Sequence, residues 1–186
     1  LFSLKMLPEM REVFERLLGI GRYWAGERVI ELCEGLQPGG RFWAKQQDDR
    51  MYGRILLRSA QSPEGLEAAT ARCAWLDEVG QNEFTLDVWE AVLRRLNIYQ
   101  GRALLTTTIY NAGWLKREVF DRWQAGDKRF EVVQFDSTEN PAFPKQAYEE
   151  AEARMPQWKF AMFYRGRFAR PAGLVYDCFD EAQCVI

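Results

Sequence analysis

The chain contains no histidine. Within this sequence, that absence excludes a Ser-His or Cys-His nucleophile pair, a histidine general base and any zinc site that needs an imidazole. Its four cysteines, Cys33, Cys73, Cys178 and Cys184, form no C-x-x-C pair, so reduced thiols are expected rather than disulfides or metal ligands. Long apolar runs are also missing. Nothing approaches the roughly 18 uninterrupted apolar residues of a membrane span, and the opening LFSLKMLPEMREVFERLL carries charges throughout, unlike a signal peptide. A soluble, intracellular protein is the expectation. Nor does one sign of charge dominate: the formal net charge of -2 excludes a uniformly basic nucleic-acid surface but not a local basic patch. Acid-base chemistry in this chain therefore falls to carboxylates, lysines or tyrosines.

What is present is enough for one domain with a real core: 186 residues, 47% hydrophobic and 14% aromatic. From Leu4 to Leu18 the positions Leu4, Leu7, Met10, Phe14, Leu17 and Leu18 recur at helical spacing, and Gly19 supplies a stop. RVIEL follows a glycine-marked turn at Gly26, and RILLRSA reads as a strand after the polar loop around Gln46 to Asp49. CAWLD is a second short apolar strand. Thr85 to Leu96 places Leu86, Trp89, Val92, Leu93 and Leu96 on one helical face behind an early Asp87, and Gly101 ends it. ALLTTT then reads as a buried strand, Gly113 to Gln124 as a helix, FEVVQF as a strand, and PKQAYEEAEARM as a helix with Pro144 in its first turn. Strands alternating with amphipathic helices predict a three-layer α/β domain with a mostly parallel sheet. Residues 171–186 lack periodicity and read as a linker or the opening of another unit.

In open parallel sheets, ligands bind beyond the carboxyl ends of the strands. CAWLDE ends at that edge in two adjacent acids, Asp77 and Glu78, whose side chains leave a strand on opposite sides. In nucleotide hydrolysis the first such carboxylate holds Mg²⁺, usually through its water shell, and the second polarises the attacking water. The alternative is that the acids merely open a helix, where they favour the positive end of the dipole. One helix later a strand runs into Thr106, Thr107 and Thr108, with Asn111 just beyond. Hydroxyls there can bond a phosphate or a metal's water shell, and the asparagine can sense a γ-phosphate; an ordinary β-branched strand end is the alternative. The aromatics Trp75, Trp89, Trp114, Trp123 and Trp158 read as packing.

These segments resemble the large terminase subunit of tailed bacteriophages and prophages. RILLRSAQSPEGLEAATARCAWLDEVGQ is similar to the stretch leading into that family's Walker B motif, and WEAVLRRLNIYQGRALLTTTIYNAGWLK to the helix and coupling motif after it. FDSTENPAFPKQAYEEAEARMPQWKFAMFYRGRFARPAGLVYDCFDE is similar to the end of the family's ATPase domain. The resemblance implies a P-loop NTPase (RecA-like, ASCE) domain over residues 1–170 and a linker towards a nuclease domain over 171–186. It implies Asp77 as the Walker B residue orienting Mg²⁺, Glu78 as general base, and Thr106, Thr107, Thr108 and Asn111 as the coupling motif, with ATP and Mg²⁺ as cofactors. Its implied partners are double-stranded DNA, a small terminase subunit, a portal protein and further copies in a ring, in the cytoplasm of an infected bacterium.

Three features depart from the family's pattern. The phosphate-cradling G-x-x-x-x-G-K-[ST] is absent, since neither GIGRYWAGE nor PGGRFWAKQ supplies it, so the chain is expected to begin after that loop and to bind ATP poorly or not at all as it stands. Ile109 stands where many members have proline, and Glu67 where some have an arginine; Arg58 and Arg72 lie nearby. Asp177, Asp180 and Glu181 read as solvated acids rather than a nuclease cluster. DNA contact would fall to Lys116, Arg117, Arg122, Lys128 and Arg129, or to Arg165, Arg167 and Arg170. Other readings are a different translocase or helicase-like ATPase, or a non-catalytic α/β interaction domain or prophage remnant.

Overall fold

The computed structural model describes residues 6–33, 51–60 and 70–170. The chain divides into two compact units, Leu1–Leu66 and Glu67–Ile186, each with its own sheet. The expected linker over 171–186, with Cys178, Cys184 and the acids Asp177, Asp180 and Glu181, lies outside the described residues, as does Glu67.

In the first unit the opening helix lies where the apolar spacing predicts it. Helix α1 spans Met6–Arg11 and runs on as a π-helical segment, Glu12–Leu17, before Gly19 turns into the left-handed region at φ 64. Strands β1 (Gly21–Trp24), β2 (Val29–Cys33) and β3 (Met51–Leu56) follow as an antiparallel sheet in the order β1-β2-β3. This corrects the expected mostly parallel sheet for this part of the chain. A parallel connection needs a crossover of a dozen or more residues, whereas only the turn 25–28 joins β1 to β2. Strand β1 had no signal of its own, because GRYW is too short to show alternation. Its first residue must be glycine: a Cβ on Gly21 would lie 2.8 Å from the Cβ of Phe14. Glu31, 4% exposed beside the fully buried Ile30, is held by the Trp24 indole N–H at 3.1 Å and the Arg54 guanidinium at 3.1 Å. Such partners offset the cost of burying a carboxylate.

The second unit carries the expected strand-helix-strand arrangement. Strands β4 (Cys73–Asp77) and β5 (Arg102–Thr106) pair in parallel, from Cys73 opposite Arg102 to Asp77 opposite Thr106. Between them α2 (Leu86–Leu96) buries Trp89, Val92 and Leu96 of the face that its periodicity predicts, together with Val88 and Ala91, while Leu86 is half-buried and Leu93 is exposed, so the buried face is rotated from the expected one. At Gly101 a Cβ would meet the Arg72 carbonyl at 2.6 Å, so the return into β5 requires glycine. The two strands are not fully buried as expected: Leu76 is buried, but Cys73, Trp75, Asp77, Arg102 and Leu104 are exposed. Among the described residues only one face of the pair is covered. This moves Trp75 out of the core.

The helix expected over Gly113 to Gln124 forms, with a π-helical stretch Lys116–Phe120 leading into α3 (Asp121–Gln124). FEVVQF is a correction: it pairs with no strand among the described residues, and Val133 and Phe135 are exposed. A short aromatic and β-branched run suits a strand, but a ladder needs a free edge beside it. Helix α4 (Lys145–Arg154) starts one residue after Pro144, which serves as its N-cap, and α5 (Gln157–Phe163), not anticipated, follows Pro156. Phe160, fully buried, packs against Tyr148 and Tyr164 with ring centroids at 4.9 and 5.0 Å.

Asp136 ties this corner together. It caps the 3₁₀ turn Ser137–Glu139, accepting the Thr138 N–H at 2.9 Å and the Tyr148 O–H at 2.8 Å, with the Arg165 guanidinium 3.8 Å away. Burial alone would raise its carboxyl, but these donors and the guanidinium outweigh that and hold it below its ordinary 3.8. A carboxylate whose folded value is depressed stabilises the fold above its unfolded value, and that contribution is lost as pH falls through the lower folded one. Stability of the wild type is therefore expected to fall more steeply below about pH 4 than that of Asp136→Asn, measured as urea midpoint against pH. Parallel slopes would remove Asp136 from the acid response.

Candidate functional site

The acid pair stands at the carboxyl end of the parallel strands, where the fold makes a ligand edge. Asp77 is the last residue of β4 and is exposed. The chain then kinks: Glu78 has φ +56, a left-handed conformation that only glycine adopts without cost. Its Oε2 is fully buried and has no hydrogen-bond partner. The acids do not open a helix, because α2 starts only after the loop Val79–Thr85 and takes Asp87 in its first turn. Strain and an unsatisfied buried oxygen at one residue are features that folded chains keep chiefly where function requires them. Glu78→Gly is accordingly expected to raise unfolding stability by about 1 kcal/mol, read by chemical denaturation, by relieving the left-handed strain. A loss of stability instead would mean that the carboxylate anchors the loop.

The threonines are drawn into this edge in different ways. Thr106 Oγ1 donates to Asp77 Oδ1 at 2.7 Å and accepts the Trp75 indole N–H at 3.0 Å. Thr107 Oγ1 accepts the Gly80 N–H at 2.9 Å and donates to the Thr108 carbonyl at 2.7 Å. Each hydroxyl keeps one lone pair for a further donor. Thr108 contributes its backbone oxygen, and Ile109, 8% exposed, anchors the turn in the core. Asn111 Nδ2 reaches the Gly80 carbonyl at 3.4 Å and Asn82 Oδ1 at 3.1 Å, while its Oδ1 accepts from the Gly113 N–H at 2.9 Å. Trp114 closes the stitch by donating to the Phe84 carbonyl at 2.6 Å and stacking on Phe84 and Trp89. The loop after β4 and the loop after β5 are thus sewn together, and the threonines and Asn111 expected from the sequence share one edge with Asp77 and Glu78.

Gly80, Asn82 and Trp75 were missed as members of this edge. Gly80 must be glycine, since a Cβ would lie 2.7 Å from the Thr108 carbonyl. No sequence periodicity marks Asn82 or separates Trp75 from a core tryptophan.

The donor set fits a magnesium nucleotide. Mg²⁺ takes one or two carboxylates and fills its remaining positions with water and phosphate oxygens. Asp77 supplies one exposed carboxylate with a single oxygen engaged, and the described residues contain no cluster of three His, Cys, Asp or Glu that would form an all-protein cage. Further from the edge, several cations expected at DNA are already paired. Lys116 meets Asp121 at 2.6 Å, Arg129 meets Asp127 at 2.7 Å, Arg122 lies 3.5 Å from both Glu118 and Asp127, and Arg165 meets Glu152 at 2.7 Å. The Arg129 side chain and backbone N–H together hold Asp127 down to about 2. Arg117, Lys128 and Arg167 make no ion pair among the described residues.

No family model matches the sequence, and no curated protein does. Solved structures do. The Thermus phage P74-26 large terminase ATPase domain superposes with a TM-score of 0.61 at 18% identity, over 89% of this chain and 69% of that one. The large terminase of a thermophilic bacteriophage gives 0.65 at 14% identity, over 96% of this chain and 40% of that one. The chain has the fold of a phage large terminase ATPase domain. The terminase-like fold is α/β, with its parallel pair carrying the acid edge. The thermophilic phage's large terminase was also solved in complex with ATP-γ-S, and that structure superposes at 0.59 with 14% identity, over 95% of this chain and 41% of that one. No described helix is long and apolar enough to cross a membrane.

Proposed function

We propose that this chain carries the hydrolytic edge of a terminase motor, a P-loop ATPase that drives double-stranded viral DNA into a prohead. The observation that supports it most is the pair at the end of β4: Asp77, exposed and oriented by Thr106, beside Glu78, held left-handed with a buried, unsatisfied Oε2. Bound Mg²⁺ would neutralise charge on the phosphates. Asp77 would hold that ion through its water shell, and Glu78 would orient a water and take its proton during attack on the γ-phosphate. Thr107 and Asn111, by tying the Glu78 loop to the loop after β5, would pass a change at the nucleotide into the rest of the unit. Arg117, Lys128 and Arg167 are the cations left for phosphate contact. A ring of copies, a small terminase subunit and a portal protein complete the reading, in the cytoplasm of an infected bacterium.

The test is ATP turnover with and without duplex DNA, in a protein that supplies a G-x-x-x-x-G-K-[ST] loop to this chain. Turnover that rises with DNA is the expected result. No turnover, with the fold intact, would overturn the reading in favour of an interaction domain.

A further inference from the structure

We propose that Trp75 is a positioning residue for Asp77, acting through the hydroxyl of Thr106; the proposal rests on the assignment of Asp77 to divalent-cation binding. Trp75 and Asp77 stand two residues apart on β4 and so share one face of the strand. Thr106 lies directly opposite Asp77 on β5 and diagonally from Trp75, within reach of a long side chain. The indole is 54% exposed, so burial does not explain why a tryptophan stands there. Its N–H is spent on Thr106 Oγ1 at 3.0 Å.

That bond fixes the hydroxyl and strengthens the one it gives, because an O–H that accepts a hydrogen bond is polarised into a better donor. A threonine hydroxyl has one proton to give and two lone pairs. Two acceptors lie within its reach, Asp77 Oδ1 at 2.7 Å and the Leu76 carbonyl at 3.4 Å. The indole N–H occupies one lone pair and bars the proton from pointing towards it, leaving the short bond to the charged carboxylate as the better one. Asp77 Oδ1 is then engaged, its side chain is held in one orientation, and Oδ2 remains for a cation's water. Supporting bonds of this kind set how well a carboxylate ligand is placed. Without the indole N–H, Thr106 loses the donor that polarises and fixes its hydroxyl, and the brace on Asp77 weakens.

Mn²⁺ serves as the probe, because it broadens nearby nuclear resonances even when it binds weakly. In the chain itself, Mn²⁺ is expected to broaden the Trp75 indole N–H and the Thr106 amide before other signals, and Asp77→Asn is expected to abolish this. Trp75→Phe, which keeps the ring and removes the donor, is expected to raise the Mn²⁺ dissociation constant about 3- to 10-fold, the worth of one hydrogen bond. Thr106→Val should do the same, and the double variant should bind no more weakly than Thr106→Val alone, because both substitutions cut one chain of bonds. Unchanged affinity in a folded Trp75→Phe protein overturns the proposal, and so do additive losses in the double variant. If Mn²⁺ finds no site near Asp77 in the wild type, the cation assignment fails and this proposal falls with it. A shift of the Trp75 indole resonance in Thr106→Val separates that outcome from absence of the hydrogen bond.

Discussion

In a protein that supplies the phosphate loop to this chain, Glu78→Gln is expected to lower ATP turnover by about 10²- to 10⁴-fold, the usual contribution of a general base, with nucleotide binding retained. Glutamine has nearly the same size and shape, so it inherits the same left-handed backbone and the same buried position. What it loses is the capacity to accept a proton from water. Because Glu78 Oε2 has no hydrogen-bond partner, the substitution breaks no brace at that atom. A fall in kcat at unchanged KM, with unchanged unfolding stability, is therefore the signature of a chemical role. Asp77→Asn should behave differently and show its loss as a higher Mg²⁺ requirement. If Glu78→Gln turned over ATP at the wild-type rate, the strained acid would need a structural explanation.

The largest expected loss of stability is at Phe160. Phe160→Ala is expected to cost about 3–5 kcal/mol, read from urea unfolding followed by tryptophan fluorescence. Its ring is fully buried between Tyr148 and Tyr164, and the Arg165 guanidinium lies 5.1 Å from its centroid. The cost of a cavity depends on how far its walls can collapse, and here they are pinned. Tyr148 is bonded to Asp136 at 2.8 Å, and Arg165 to Glu152 at 2.7 Å. A loss below about 1 kcal/mol would show that the corner relaxes freely and that this network is not rigid.

Both expectations rest on residues that the sequence ranks very differently. Asp77 and Glu78 are legible as a site because an apolar strand that ends in two acids is an uncommon pattern with a chemical use. Phe160 is not legible at all: α5 is short, and QWKFAMF shows no periodicity long enough to distinguish its buried side. Helix α2 was readable to within a residue, since its apolar positions repeat over three turns and Asp87 and Gly101 punctuate it. FEVVQF was misread because a short run of aromatic and β-branched residues suits a strand but says nothing of a neighbour with free backbone groups.

By itself the sequence determined the local quantities: the span of α2, the span of β4, the excluded histidine chemistry and the identity of the paired acids. Each depends on residues near one another along the chain. Only the tertiary structure decided that β1, β2 and β3 run antiparallel, that Trp75 is exposed and bonded to Thr106, and that Glu78 is left-handed with a buried oxygen. Those outcomes depend on which distant segments meet, and hydrogen-bond partners and burial are properties of the meeting rather than of either segment alone.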